Sequence, residues 1–231
     1  MTQPATGSVA GSPLDLIERL GVVPVVVLDD PASAAPLAAA LADGGLPLAE
    51  VTFRTAAAAR ALAVMAADTR LLVGAGTVIT AEQVDRAVVA GARFVVSPGF
   101  SEAVVARAAE LGVLALPGVA TASEIMAALA TGLSTVKFFP AQTCGGVAAV
   151  RALAAPFPDL RFVPTGGISA DSMAEYLKVP AVTAVGGSWM VAKNLVRENR
   201  FDEVTRLAGQ AVAVAAGARG RAAGGSEEAG R

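Results

Sequence analysis

Short apolar runs rich in Val, Leu and Phe alternate with longer alanine-rich stretches through the body of this chain. The runs at 22–28, 48–53, 71–74, 94–97, 113–116, 135–139, 161–164 and 181–185 have the length of strands. The stretches at 31–44, 56–67, 81–90, 102–111, 122–130, 146–154 and 170–177 carry Ala and Leu, with Glu, Arg or Asp spaced for a solvated helix face. Asp30, Thr80, Ser101, Thr121 and Ser169 stand where helix caps belong, and Gly44, Gly91, Gly112 and Gly132 follow helix ends. Strands apolar on both faces, each followed by a helix, predict a parallel sheet buried between helices. Eight such units fit an α/β (β/α)8 TIM barrel. An open doubly wound sheet is the alternative. It usually carries a glycine-rich turn after its first strand, where this chain has Leu28-Asp29-Asp30-Pro31. Residues 14–20 predict an N-terminal helix plugging the bottom of the barrel, and 201–216 a last helix after the eighth strand. The reading is a single barrel domain over 13–216. The tails at 1–12 and 217–231 lack apolar periodicity and are expected to be disordered.

Composition narrows the chemistry more than the fold. With 231 residues and 54% hydrophobic content, the chain has ample material for one barrel core. No run reaches the roughly 20 apolar residues of a membrane span, and the first dozen residues lack the basic start of a secretory signal. A formal net charge of -2, with no basic block, speaks against nucleic-acid binding. Histidine is absent, which removes His bases, His nucleophile pairs and His metal sites. Cys144 is the only cysteine, so no intrachain disulfide or thiolate metal cluster can form, and the chain suits a reducing cytoplasm. Catalysis without a borrowed group is left to Lys, Asp, Glu, Tyr, Arg, hydroxyls and backbone amides.

Barrel active sites lie at the C-terminal ends of the strands, so the strand ends are best read together. The second strand reads Glu50-Val51-Thr52-Phe53-Arg54-Thr55. Alternation puts Glu50, Thr52 and Arg54 inside, with Val51 and Phe53 toward the helices. The sixth, Thr135-Val136-Lys137-Phe138-Phe139-Pro140, likewise turns Thr135, Lys137 and Phe139 inward. A carboxylate, a guanidinium and an ammonium then meet inside one barrel, which is costly as mere structure. The third strand ends in Gly74-Ala75-Gly76-Thr77, with Thr77 offering a hydroxyl at the rim. The fourth and fifth end in the turns Ser97-Pro98-Gly99 and Leu116-Pro117-Gly118. Glycine pairs close the seventh and eighth, at Pro164-Thr165-Gly166-Gly167-Ile168 and Gly186-Gly187-Ser188-Trp189. Backbone amides after strands seven and eight form the phosphate site common in these barrels.

Lys137 is one of three lysines, beside Lys178 and Lys193. An ammonium in apolar surroundings finds an anionic partner or loses its proton, and the neutral amine attacks carbonyls to form a Schiff base. That imine is an electron sink for breaking a carbon–carbon bond. Glu50 is the inward carboxylate available as general base, and Arg54 suits a substrate carboxylate. Gly166, Gly167, Gly187 and Ser188 would hold a phosphate. The substrate these parts imply is a small molecule, a 2-keto acid with a terminal phosphate.

The motifs Glu50-Val51-Thr52-Phe53-Arg54-Thr55, Gly74-Ala75-Gly76-Thr77-Val78, Ser97-Pro98-Gly99, Lys137-Phe138-Phe139-Pro140, Pro164-Thr165-Gly166-Gly167-Ile168 and Gly186-Gly187-Ser188-Trp189 together resemble the 2-keto-3-deoxy-6-phosphogluconate (KDPG/KHG) aldolase family. The resemblance runs in order from about Leu14 to Gln210. It implies a class I aldolase, or lyase, that splits 2-keto-3-deoxy-6-phosphogluconate to pyruvate and glyceraldehyde 3-phosphate in the Entner–Doudoroff pathway. Many members also split 4-hydroxy-2-oxoglutarate to pyruvate and glyoxylate. It implies Lys137 as the Schiff-base lysine and Glu50 as an acid/base working through a water. It places Arg54 and Thr77 on the pyruvate carboxylate, Pro98 and Phe139 along the pyruvyl pocket, and Gly166, Gly167, Gly187 and Ser188 on the phosphate. No cofactor and no metal is implied, and the assembly implied is a cytoplasmic homotrimer. One departure is that some relatives carry an arginine in the first strand, where this chain has Val25-Val26-Val27-Leu28. The rival readings are an aldolase for the galactonate epimer, a barrel isomerase using the same phosphate loops, and a non-catalytic sugar-phosphate-binding barrel.

Overall fold

A computed structural model describes residues 11–224 of the chain. The expectations for 1–10 and 225–231 lie outside the described residues. Nine parallel strands form the sheet: β1 Val22–Val26, β2 Leu48–Thr52, β3 Leu72–Gly76, β4 Phe94–Val96, β5 Leu114–Leu116, β6 Gly118–Val119, β7 Thr135–Phe138, β8 Arg161–Pro164 and β9 Val185–Gly187. They are ordered β5-β4-β3-β2-β1-β9 in one sheet and β6-β7-β8 in another. Two features make these one barrel. Pro117, which has no N–H to donate, separates β5, the expected fifth strand paired with β4, from β6, which continues the stave beyond the expected end and pairs with β7. A parallel bridge between Thr165 and Gly186 joins the end of β8 to β9. The closed sheet therefore has the eight staves that the sequence predicts.

Helices α1 Pro13–Leu20, α2 Ala34–Asp43, α3 Ala58–Ala66, α4 Ala81–Val89, α5 Glu102–Glu110, α6 Ala122–Ala130, α7 Gly146–Ala154, α8 Met173–Leu177, α9 Lys193–Arg197 and α10 Phe201–Gly224 complete the fold. Small alanines let several of them lie close on the sheet: Ala34, Ala61, Ala87, Ala108 and Ala128 are fully buried. The outward side chains of the strands meet them, and Val51, Val136 and Phe138 are fully buried in this layer. α1 is bounded by a capping box between Ser12 and Asp15 and by a left-handed Gly21, and it buries Leu16, Ile17 and Leu20. Ser12 thus belongs to the helix start and not to the tail expected at 1–12.

Four other elements differ from the sequence reading. Asp30 caps a 3-10 turn over Pro31–Ser33, and α2 proper starts only at Ala34. The eighth strand was expected at 181–185 but forms at Val185–Gly187. The earlier residues pair with β8 only through an isolated bridge, Val182 to Phe162, while the Val182 amide turns back to the Val179 carbonyl at 2.8 Å. Helix α8 starts at Met173 rather than 170, because Ser169 and Ser172 bond each other's backbone and hydroxyls first. The last helix runs past its expected end at 216 to Gly224. Ala215 and Ala218 continue its buried stripe. Arg219 donates to the carbonyls of Glu18 at the end of α1 and Thr183 before β9, so the helix gains tertiary partners beyond its alanines. Burial of that guanidinium pushes its pKa down. No helix among the described residues is long and apolar enough to cross a membrane.

Candidate active site

The strand C-termini surround a cavity of about 270 Å³. Its wall includes Glu50, Arg54, Thr77, Pro98, Lys137, Phe139, Gly166, Gly167, Gly187 and Ser188, so the fold brings together every residue singled out from the sequence. Val25, Thr52, Thr165, Ile168 and Gly186 also line it. These were missed as site residues, although alternation along the second strand already turned Thr52 inward.

Register explains how two charged side chains fit inside the barrel. Glu50 lies between Val25 on β1 and Gly74 on β3, and Lys137 lies between Gly118 on β6 and Val163 on β8. The glycine paired with each makes room for a different neighbour. The space over Gly74 is filled by the Phe94 ring, and the space over Gly118 by the Pro98 carbonyl. The carboxylate of Glu50 folds over Gly76, whose missing Cβ is what admits it: an added one would sit 2.7 Å from Glu50 Cγ.

Glu50 and Lys137 are 3% and 6% exposed, and Lys137 Nζ lies 3.5 Å from Glu50 Oε1. At that distance the two charges compensate each other without a hydrogen bond. Oε1 is buried and has no hydrogen-bond partner among the described residues. A buried carboxylate oxygen left in this state is costly, and it is poised to accept from a bound molecule. Lys137 Nζ also stands 4.9 Å from the centre of the Phe139 ring, within reach of its π face.

Around this pair the polar groups are tied in sequence. Thr52 Oγ1 donates to the Val26 carbonyl at 3.0 Å and accepts from Arg54 Nε at 3.3 Å. That fixes the root of an otherwise exposed guanidinium at the cavity mouth. Thr77 adopts φ +58°, unusual for a β-branched residue and costing about 1–3 kcal/mol. Thr77 lines the cavity at this kink. On the opposite wall Gly166 and Gly167 have φ +102° and +78°, a left-handed pair that larger residues would not adopt. The second glycine pair is different from expectation. Gly186 and Gly187 lie in β9 itself, where an added Cβ would overlap Thr165 or the Trp189 ring, and a 3-10 turn at Trp189–Val191 follows. Both pairs still line the cavity, side by side across the Thr165–Gly186 bridge. A ligand reaching from Lys137 to these glycines would meet a nucleophile, a carboxylate, a guanidinium and a backbone-lined anion cradle.

The chain is similar to proteins of known family. Residues 15–207 match the family model for KDPG and KHG aldolase. A 2-dehydro-3-deoxy-phosphogluconate aldolase of Treponema pallidum is 49% identical over 201 residues, covering 87% of this chain and 96% of the relative. The crystal structure of the 2-keto-3-deoxy-6-phosphogluconate aldolase of Zymomonas mobilis with 3-phosphoglycerate superposes with TM-score 0.82 at 41% identity, covering 87% of this chain and 96% of that one. A KDPG aldolase of Legionella pneumophila, with pyruvate captured at low pH as a covalent carbinolamine intermediate, gives TM-score 0.83 at 38% identity over 86% of this chain and 97% of its own.

Proposed function

This chain belongs to the KDPG and KHG aldolase family, and on that footing we propose that it cleaves 2-dehydro-3-deoxy-6-phosphogluconate to pyruvate and D-glyceraldehyde 3-phosphate, with Lys137 as its Schiff-base lysine. The observation that carries the assignment of residues is the buried pair at the cavity floor. Lys137 and Glu50 lie 3.5 Å apart, and one carboxylate oxygen is unsatisfied.

The steps follow from what each group can donate or accept. Lys137 Nζ attacks the C2 carbonyl of the substrate, and the carbinolamine loses water to give the protonated imine. Glu50 takes the proton of the C4 hydroxyl, through a water where the reach requires it. The C3–C4 bond then breaks. Its electron pair enters the imine as an enamine, and C4 leaves as the aldehyde of glyceraldehyde 3-phosphate. The same carboxyl returns a proton to C3, and water hydrolyses the imine to free pyruvate and the amine. Arg54 and Thr77 hold the pyruvyl carboxylate, while Pro98 and Phe139 bound the methyl side. The amides of Gly166, Gly167 and Gly187, with Ser188, hold the phosphate.

Reduction by borohydride in the presence of pyruvate tests the central step. A covalent adduct at Lys137 is the expected product, and its absence from every lysine would remove the Schiff base. Splitting of 4-hydroxy-2-oxoglutarate is a second activity in keeping with the family, read by glyoxylate release. The assembly we propose is a cytoplasmic homotrimer. Met126 and Leu129, exposed on α6, offer apolar surface for it. Sedimentation at micromolar concentration distinguishes a trimer from a monomer.

A further inference from the structure

Behind the Gly166–Gly167 turn lies a second layer of contacts that reaches the α8 helix. The segment following β7 crosses over the end of β8, where Ala141 N–H donates to the Thr165 carbonyl at 2.8 Å and Gln142 N–H donates to the Gly166 carbonyl at 3.0 Å. In a trans peptide the N–H points away from the C=O of the same unit. With the Gly166 carbonyl held by Gln142, the Gly167 amide therefore faces away from that segment. Gln142 also packs against Gly167 itself, since a Cβ there would lie 2.6 Å from the Gln142 Cβ. The Gln142 side chain is held in turn by Tyr176 of α8, whose hydroxyl donates to Oε1 at 3.2 Å. Tyr176 is 1% exposed, and its burial pushes the phenol above its ordinary pKa, so it remains a donor throughout the working range.

We propose that Gln142, clamped by Tyr176, is the positioning residue of the phosphate end of the site. Its backbone N–H fixes the direction of the Gly167 amide, the Tyr176 bond to its side chain holds that backbone in place, and the two together set affinity for the phosphorylated end of the substrate without touching the carbon–carbon chemistry. The inference rests on the phosphate assignment of the Gly166–Gly167 turn given above. Neither Gln142 nor Tyr176 lines the cavity, so their effect reaches the substrate only through the turn.

Tyr176→Phe and Gln142→Ala test it with three readouts. These are steady-state cleavage of the phosphorylated acid, inhibition by inorganic phosphate, and exchange of pyruvate methyl protons with solvent deuterium, which needs no phosphate. Loss of the one neutral hydrogen bond that holds the segment, from either side, should raise KM for the phosphorylated acid about fivefold in Tyr176→Phe and similarly in Gln142→Ala, which keeps the backbone N–H. The phosphate inhibition constant should rise in parallel. Both kcat and pyruvate exchange should stay within about twofold of the parent, which also certifies that the variants fold. A fall in pyruvate exchange in step with cleavage would overturn the proposal, because the defect would then be general. If phosphate competes with the parent enzyme and equally with both variants, the positioning role fails alone. If phosphate does not compete with the parent enzyme at all, the assignment of the turn fails and takes the proposal with it.

Discussion

Replacing Gly76 by alanine should disable the chemistry while leaving the imine intact. The added Cβ would lie 2.7 Å from Glu50 Cγ and 2.8 Å from Cδ, against the 3.5–4.0 Å at which carbon atoms pack comfortably. The Glu50 backbone is pinned in β2 between Val25 and Gly74, so the side chain must give way, by roughly 1 Å. A displacement of that size at a proton-transfer group costs about 100-fold in kcat. Overpacking should also lower stability by about 1–3 kcal/mol. The assays are pyruvate release coupled to lactate dehydrogenase, borohydride trapping of pyruvate, and urea unfolding. The expected pattern is a large fall in kcat, trapping at Lys137 preserved, and a modest loss of stability. Gly74→Ala supplies the control, since its Cβ strikes the Phe94 ring and leaves the carboxylate alone. It should lower stability with far less effect on kcat. Equal losses of kcat in the two variants, or none in Gly76→Ala, would refute the idea that this glycine places Glu50.

Three further outcomes are expected. Lys137→Met leaves Glu50 as an uncompensated buried charge and should cost about 3–5 kcal/mol in urea unfolding; adding Glu50→Gln should recover much of it, and strict additivity would show that the pair is not coupled. Thr52→Val removes the hydroxyl that Arg54 Nε donates to, so KM should rise about fivefold with kcat nearly kept, whereas Thr52→Ser should restore it. Glu124 accepts from the amides of Ala120 and Thr121 and from the Thr121 hydroxyl, and the Ala120 bond above all holds its carboxyl below its ordinary value. A lowered folded pKa means that the stabilisation is whole above the unfolded carboxyl value and fades as pH falls through the folded one. The gap between the parent and Glu124→Ala, about 1 kcal/mol at neutral pH, should therefore close below about pH 4. A gap independent of pH would deny the ionised cap.

What the sequence disclosed and what it concealed divide along physical lines. Alternation is a property of the strand itself, so Glu50 and Lys137 could be turned inward before any coordinates were known. Left-handed glycines such as Gly166 and Gly167 announce themselves by type. Tertiary competition does not. Pro117 was visible as a turn residue, but its division of a stave between two ladders depends on which neighbours each half finds. The start of α8 hinges on hydroxyl bonds between Ser169 and Ser172, and the reach of α10 on carbonyls offered by Glu18 and Thr183. Thr165 and Ile168 enter the cavity wall because the chain turns at the glycines between them, which no periodicity describes.

The break at Pro117 gives the barrel two seams, one there and one between β8 and β9, held by the isolated bridges Phe162–Val182 and Thr165–Gly186. Glu50 rides on the larger panel and Lys137 on the smaller, so neither panel alone holds the pair. Enzymatic activity is thus a signal of closure. A chain refolding from denaturant should regain helical signal as the panels form and turnover only once both seams have zipped. Two fragments cut between 116 and 118, each inert, should work only when mixed.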